Sequence, residues 1–204
     1  MPTATKSSTA TSASTARSLR FELIAVGASW GGLAALSRLL AALPRELEQP
    51  IVVAQHRAAD SVRGLEELLQ RHTHLVVREA DDKEPIRPGH VYLAPADYHL
   101  LVEPGHLALS TEAAVQFARP SIDVLFESVA DAYRDRAIGI ILTGANDDGA
   151  EGLRRIKARG GVTIVQDPAT SERRRMPDAA IALSIADAVL PLDEMGKFLF
   201  GLCV

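Results

Sequence analysis

The pattern Gly-x-Ser-x-Gly stands near the start of the chain, where residues 27–32 read GASWGG. An apolar run at 23–26 precedes it, and apolar residues at helical spacing follow it at 33–40. A serine on a tight strand-to-helix turn projects from the end of its sheet, where main-chain N–H groups can stabilise an oxyanion. The pattern favours Ser29 as a nucleophile, with Gly27 and Gly31 allowing close approach of the neighbouring backbone.

Two other interpretations of this turn stay open. Glycine-rich turns between a strand and a helix also hold phosphates, although this segment lacks the G-x-G-x-x-G spacing and no Gly-Lys-Ser/Thr follows it. The turn can also be a purely structural link.

A histidine follows the second apolar run, residues 51–55. Two such runs joined by a helix predict a βαβ unit, whose parallel strands end at the same edge of the sheet. Ser29 and His56 are therefore expected at the edge where open α/β sheets build their sites. This shared position favours a catalytic histidine over a capped surface residue.

Two adjacent carboxylates, Asp147 and Asp148, lie in a loop that follows a third apolar run at 137–142. They could bind a cation or cap the helix that begins near Gly149. One of them could instead hold an imidazole in its working tautomer. The order Ser, His, Asp then differs from the Ser, Asp, His order of α/β-hydrolases.

The alternation of strands and helices predicts an α/β fold with a mostly parallel, doubly wound, Rossmann-like three-layer sheet. Short apolar runs between 75 and 110, separated by Pro and Gly, predict a small antiparallel β appendage or edge. Helices are predicted over 61–69, 121–134 and 151–159, the first two with Ser61 and Ser121 as N-caps.

The length and composition predict one globular domain over 20–204. Residues 1–19 are rich in Ser, Thr and Ala and contain no acid, which predicts a disordered tail with some likeness to a transit peptide. The net charge of −4 argues against a nucleic-acid partner. No apolar run approaches the roughly 20 residues that a membrane span needs, so no membrane insertion is expected.

Cys203 is the only cysteine, which excludes disulfides and cysteine-based metal sites and fits a cytoplasmic location. Five other histidines lack a convincing metal-ligand spacing and are predicted to be structural or surface residues, so no metal site is expected. They are His72, His74, His90, His99 and His106. Arg63, near the start of a predicted helix, opposes the helix dipole and is either a solvated charge or a contact to an acidic substrate.

Together these motifs resemble the catalytic domain of the bacterial chemotaxis protein-glutamate methylesterases, the CheB family, over roughly 23–193. The matching segments follow the family's order: GASWGG at 27–32, QH at 55–56, PGHVYLAP at 88–95, RPSIDVLF at 119–126, ILTG at 141–144, DGA at 148–150 and MP at 176–177.

The resemblance implies a serine hydrolase with a triad of Ser29, His56 and Asp148. It implies hydrolysis of glutamate γ-methyl esters on the cytoplasmic helices of methyl-accepting chemoreceptors, and in many members deamidation of glutamines, with no metal or organic cofactor. Main-chain N–H groups near Trp30 and Ala145 are the candidates for an oxyanion hole. Met176 is expected near the substrate.

Several features depart from the family's pattern. A receiver domain usually precedes the catalytic domain, and this chain has only a short lead, so control by a phospho-aspartate is not expected within it. Trp30 replaces a small residue and is expected to narrow the acyl pocket. Residues 145–147 read AND, where the family tends to have Met and Gly.

The arginine run 173–175 is either a solvated loop or a surface that steers an acid-rich helix. Two other functions remain: a related serine esterase with a non-chemotaxis client, and a non-catalytic module that binds a partner at the same sheet edge.

Overall fold

The computed structural model describes residues 21–58, 64–183 and 185–203. The strands are β1 Leu23–Ala28, β2 Ile51–Gln55, β3 Val76–Glu79, β4 His90–Leu93, β5 His99–Glu103, β6 His106–Ser110, β7 Ala137–Ile141, β8 Val162–Gln166 and β9 Ala188–Leu190. The helices are α1 Gly32–Ala41, α2 Leu65–Gln70, α3 Ile122–Tyr133, α4 Ala150–Ala158, α5 Arg175–Ala182 and α6 Leu192–Cys203. No helix in these ranges is long and apolar enough to cross a bilayer.

The main sheet has seven parallel strands in the order β3-β4-β2-β1-β7-β8-β9. The chain first builds from β1 toward β3, then returns to add β7 on the other side of β1. This is the predicted doubly wound α/β fold. Its strand order reverses beside β1, which is where such sheets form a crevice at their carboxyl ends.

Helices cover both faces of the main sheet. Ile24 and Val26 of β1 face a core shared with α1, α2 and α6, while Leu23 and Ala25 face one shared with α3, α4 and α5. Because successive side chains of a strand alternate between faces, a strand buried on both sides must be apolar throughout. This explains the continuous apolar runs in the sequence.

The predicted antiparallel appendage is present and consists of β5 paired with β6. It is smaller than expected, because β3 and β4 pair in parallel within the main sheet. The ten residues 80–89 between these strands form the crossover that a parallel pair requires and carry the chain back to the starting edge of the sheet.

The first helix after β2 begins at Leu65, with Gly64 at its N-cap, and not at residue 61 as predicted. Ser61 itself, Arg63 and the predicted tail at 1–19 lie outside the described residues. The helices at 121–134 and 151–159 are present within one residue of their predicted bounds.

Gly152 lets α4 approach α3 closely. A Cβ at this position would lie 2.7 Å from the Phe126 Cβ and 2.9 Å from the Asp123 carbonyl oxygen. A Gly152→Ala variant should therefore lose about 1–3 kcal/mol of unfolding free energy in urea titrations. The matched control is Gly201→Ala in α6, where a Cβ meets nothing within 4 Å; it should gain about 0.5–1 kcal/mol of helix propensity. Equal effects at the two positions would contradict the packing argument.

Candidate active site

Ser29 and His56 follow the ends of neighbouring strands and are held there by continued ladder hydrogen bonds. The Ser29 N–H donates to the Thr143 carbonyl at 3.0 Å, and the His56 N–H donates to the Ala28 carbonyl at 2.9 Å. Gly31 then takes a φ of 79°, in the left-handed region, as the chain turns into α1. The serine thus lies at the carboxyl edge of the sheet, three residues before the helix begins.

The side chains of Ser29, His56 and Asp148 form a line. His56 Nδ1 lies 3.2 Å from Ser29 Oγ, and His56 Nε2 lies 2.7 Å from Asp148 Oδ2. An ionised carboxylate only accepts hydrogen bonds, so Nε2 carries the proton and Nδ1 presents its lone pair to the serine hydroxyl. This arrangement can transfer the hydroxyl proton to the imidazole as the serine attacks a carbonyl carbon.

The Asp148 carboxylate is completely buried and receives four hydrogen bonds. Oδ2 accepts from His56 and from the Ile122 N–H at 2.8 Å. Oδ1 accepts from the Ser121 hydroxyl at 2.9 Å and the Asp123 N–H at 3.0 Å. Burial alone would raise the pKa of Asp148, but the hydrogen bonds from His56 and the start of α3 hold it below its ordinary value. The carboxylate is thereby kept ionised in the interior.

Asp123 caps α4 from the neighbouring helix. Its Oδ1 accepts from the Gly149 N–H at 2.9 Å and the Gly152 N–H at 2.7 Å, and its Oδ2 accepts from Gln116 Nε2 at 2.8 Å. The start of α3 is thus satisfied by Asp148, from the loop before α4, and the start of α4 is satisfied by Asp123 of α3. Burial raises the pKa of Asp123 to about 6, with a smaller contribution from the nearby Asp148 charge.

Two amide side chains adjoin the line of three residues. Gln55 Nε2 donates to the carbonyls of Ser29 and His56, each at 2.9 Å, and so fixes the two segments relative to each other. Asn146 Nδ2 lies 3.4 Å from His56 Nδ1, the same nitrogen that faces the Ser29 hydroxyl.

The sequence did not reveal the role of Asp123, because an acid in the first turn of a helix resembles an ordinary partner of the helix dipole. It showed Asn146 only as a departure from the family's pattern.

The Trp30 side chain lies on the side of Ser29 away from His56, and narrowing of the acyl pocket by this residue stays a prediction. Its indole Nε1 donates to Glu172 Oε1 at 2.8 Å, and the Arg173 guanidinium lies 5.3 Å from the ring centre. Both partners follow β8, on the side of β1 away from His56. The ring, 58% exposed, therefore borders the edge of the sheet beyond the serine.

The main-chain N–H groups of Trp30 and Ala145 donate no hydrogen bond within the described residues. They belong to the turn after β1 and the loop after β7, which adjoin through the Ser29–Thr143 hydrogen bond. Donors with no partner beside a nucleophile suit a developing oxyanion.

Met176 was expected near the substrate, but its side chain is fully buried and cannot contact a docked substrate. It packs behind the loop after β7: a Cβ at Gly144 would lie 2.4 Å from Met176 Cε. The Met176 N–H also donates to the Gly144 carbonyl at 3.1 Å. Met176 therefore supports the loop that carries Ala145.

Asp147 and the arginine run belong to the surface. Arg175 Nε donates to Asp147 Oδ1 at 2.9 Å, and this hydrogen bond holds the pKa of Asp147 below its usual value. Arg174 is paired with Asp178 at 2.7 Å. Two of the three arginines thus have carboxylate partners within the chain, which leaves little free positive charge for steering an acidic helix.

A cavity of about 580 Å³ opens beside His56, on the side of β2 and β4. Its charged residues are paired: Arg57 with Glu79, and Arg119 with Asp97 at 2.6 Å. The residues that line it include His56, Arg57, Asp97, Phe117, Arg119 and Asn146. The described residues that line the cavity thus form a partly apolar surface, in which the charged side chains are paired, next to the imidazole.

The remaining histidines have local roles where the structure shows a contact. His99 is buried, accepts from the Ser121 N–H at 3.2 Å through Nδ1, and faces the Ala113 carbonyl at 3.1 Å through Nε2. His106 pairs with Glu103. Across the described ranges, no three His, Cys, Asp or Glu side chains cluster in a way that could hold a metal ion.

Comparisons with known proteins place this chain in a family. The CheB methylesterase family model matches residues 24–199. A Leptospira interrogans protein, named provisionally as a protein-glutamate methylesterase/protein-glutamine glutaminase, is 43% identical over 185 residues, which are 90% of this chain and 96% of that protein. A protein-glutamate methylesterase/protein-glutamine glutaminase of Anaeromyxobacter dehalogenans is 44% identical over 92% of this chain, which spans about half (55%) of that relative.

Among solved structures, the crystal structure of the Thermotoga maritima CheB methylesterase catalytic domain superimposes with a TM-score of 0.85 at 33% identity. The match covers 89% of this chain and 98% of that one.

The raised pKa of Asp123 predicts a pH-dependent stability. The folded protein holds this proton up to about pH 6, whereas an unfolded aspartate loses it near 3.8. The titration of Asp123 should therefore lower the unfolding free energy as the pH rises from 4 to 6, so over this range Asp123→Asn should gain about 1–3 kcal/mol relative to the wild type. Urea titrations across this range measure the difference between the two proteins, with exposed Asp135→Asn as the control. Parallel curves for Asp123→Asn and the wild type would show that the carboxyl has an ordinary pKa.

Proposed function

This chain belongs to the CheB methylesterase family, and we propose that it hydrolyses glutamate γ-methyl esters through Ser29, His56 and Asp148. The observation that carries the proposal is the hydrogen-bonded line from a buried, ionised carboxylate through an imidazole to a serine hydroxyl. This is the geometry of nucleophilic acyl transfer.

In the first half of the reaction, His56 Nδ1 takes the Ser29 proton as Oγ attacks the ester carbonyl carbon. The negative charge moves to the carbonyl oxygen, for which the N–H groups of Trp30 and Ala145 are the proposed donors. The tetrahedral intermediate collapses, the carbon–oxygen bond to the methoxy group breaks, and His56 returns the proton so that methanol leaves. Asp148 stabilises the imidazolium throughout and keeps the ring oriented.

In the second half, water attacks the acyl-serine while His56 takes one of its protons. Collapse of this second intermediate returns the proton to Ser29 Oγ and releases the glutamate side chain. One water is consumed and one methanol formed for each ester hydrolysed. All proton transfers use the same imidazole nitrogen, which the Asp148 hydrogen bond to Nε2 keeps free for that purpose.

Deamidation of glutamine uses the same acyl-enzyme and is proposed as a second activity. His56 would then protonate the departing nitrogen, and ammonia would leave in place of methanol. Relatives at 43% and 44% identity carry both activity names, which supports the pair.

The proposed substrates are the cytoplasmic helices of methyl-accepting chemoreceptors, and a cytoplasmic location is proposed with them. Support comes from the names of the relatives, among them the protein-glutamate methylesterase FrzG of Myxococcus xanthus, at 42% identity over 88% of this chain.

The two neighbouring aspartates give a matched test of the triad. Asp148→Asn and Ser29→Ala should each lower methanol release from a methylated receptor fragment by about 10³-fold to 10⁴-fold. Asp147→Asn changes a carboxylate on the exposed surface and should stay within about twofold of the wild type. Methanol from tritiated methyl esters provides the readout.

Circular dichroism of each variant separates loss of fold from loss of chemistry, since Asp148 also caps α3. Activity retained by Ser29→Ala would exclude the serine mechanism. An equal loss in both aspartate variants would assign no special part to Asp148.

A further inference from the structure

An exposed turn at the rim of the cavity combines an unfavourable backbone with a fully exposed aromatic ring. Two hydrogen bonds join Val115 and Ala118, from the Val115 N–H to the Ala118 carbonyl at 3.1 Å and in the reverse direction at 2.9 Å. The two central residues, Gln116 and Phe117, have φ angles of 47° and 62°. Tight turns of this kind are normally occupied by Asn and Gly, because other side chains are strained at positive φ.

No contact with the residues that the structure describes offsets this strain at Phe117. The residue is 105% exposed, as open to solvent as an isolated residue. A strained residue persists only when the structure around it holds it in place, and such residues concentrate where a protein contacts its ligand. The turn therefore presents the ring outward at a site where the surrounding chain does not use it.

The base of the turn is firmly attached to the active site. Gln116 Nε2 donates to the Asp123 carboxylate, which caps α4. The main-chain N–H of Asp123 in turn donates to Asp148. On the other side, Arg119 donates to the carbonyls of Thr111 and Glu112, each at 2.9 Å. The turn that carries Phe117 is thus held at the rim of the cavity that His56 also lines.

The chemistry around the ring favours an apolar contact over a charged one. Among the described residues that line the cavity, Arg57 and Arg119 are paired with Glu79 and Asp97. Beyond Ser29, on the side of β8, Trp30 is a second exposed aromatic residue, held by its own partners. Aromatic side chains, Phe among them, are enriched in the interfaces between proteins.

We propose that Phe117 is a docking residue for the protein substrate, packing against apolar side chains of the helix that presents the glutamyl ester to Ser29. The inference rests on the proposed function. A helix is about 10–12 Å across, so an ester that reaches His56 leaves its parent helix outside the cavity, against the rim where Phe117 lies. The ring then contributes to binding of the helix and takes no part in the bond-making steps.

The test compares a protein substrate with a small ester. Phe117→Ala should raise KM for a methylated receptor helix about tenfold and leave kcat within about twofold. The kcat/KM for p-nitrophenyl acetate, which has no helix to dock, should stay unchanged. The matched control is Val76→Ala, which truncates an exposed apolar residue at the start of β3. Val76 lies at the amino end of the parallel strands, whereas the site lies at their carboxyl end.

A second variant separates docking from structure. Phe117→Gly relieves the strain at positive φ and should raise the melting temperature, yet it should show the same rise in KM.

The possible outcomes differ in what they overturn. Unchanged KM in Phe117→Ala, with an active wild type, would overturn docking alone. An equal loss on the small ester would place the turn in the catalytic machinery and also overturn docking. Self-association of the wild type that Phe117→Ala abolishes, with KM unchanged, would assign the ring to a contact between copies of this chain. A wild type that releases no methanol from the receptor helix would overturn the proposed function itself.

Discussion

The buried charge of Asp148 constrains much of this structure. A carboxylate without exposed surface is costly unless its oxygens are fully hydrogen-bonded. Here the compensation comes from the first residues of α3, the Ser121 hydroxyl and the His56 imidazole. The charge needed to orient His56 is therefore also the group that satisfies the start of a helix, and the site and the fold depend on the same hydrogen bonds.

This constraint explains why α3 and α4 pack so closely. Their starts must lie near each other for Asp148 to reach α3 and for Asp123 to reach α4. Gly149 and Gly152 supply the space, since a Cβ at either would lie within 3 Å of an atom of α3. The same helices form the layer beneath β1 and β7, so their packing fixes the edge from which Ser29 and Asp148 project.

The sequence was most informative where chemistry and topology coincide. Ser29 and His56 follow apolar runs that could only be buried parallel strands, so their shared edge was predictable from the βαβ unit. The choice of Asp148 over Asp147 came from the resemblance, because the two residues have the same chemistry and differ only in which one the fold buries.

What the sequence could not reveal depends on contacts between distant segments. The burial of Met176 behind Gly144 and the capping of α4 by Asp123 require knowledge of how helices and loops meet. The direction of the Trp30 indole is set by Glu172 and Arg173, more than a hundred residues away in the sequence. Similarly, the parallel pairing of β3 with β4 could not be predicted, because local pattern does not distinguish parallel from antiparallel pairing of short strands.

Activation of Ser29 by His56 and Asp148 can be measured as the rate of covalent modification by a fluorophosphonate, followed by mass spectrometry of the intact protein. We expect one adduct per chain, located on Ser29, that forms far more slowly in His56→Gln and Asp148→Asn. Absence of an adduct in the wild type, or equal rates in the three proteins, would show that the serine is not activated by this line of residues.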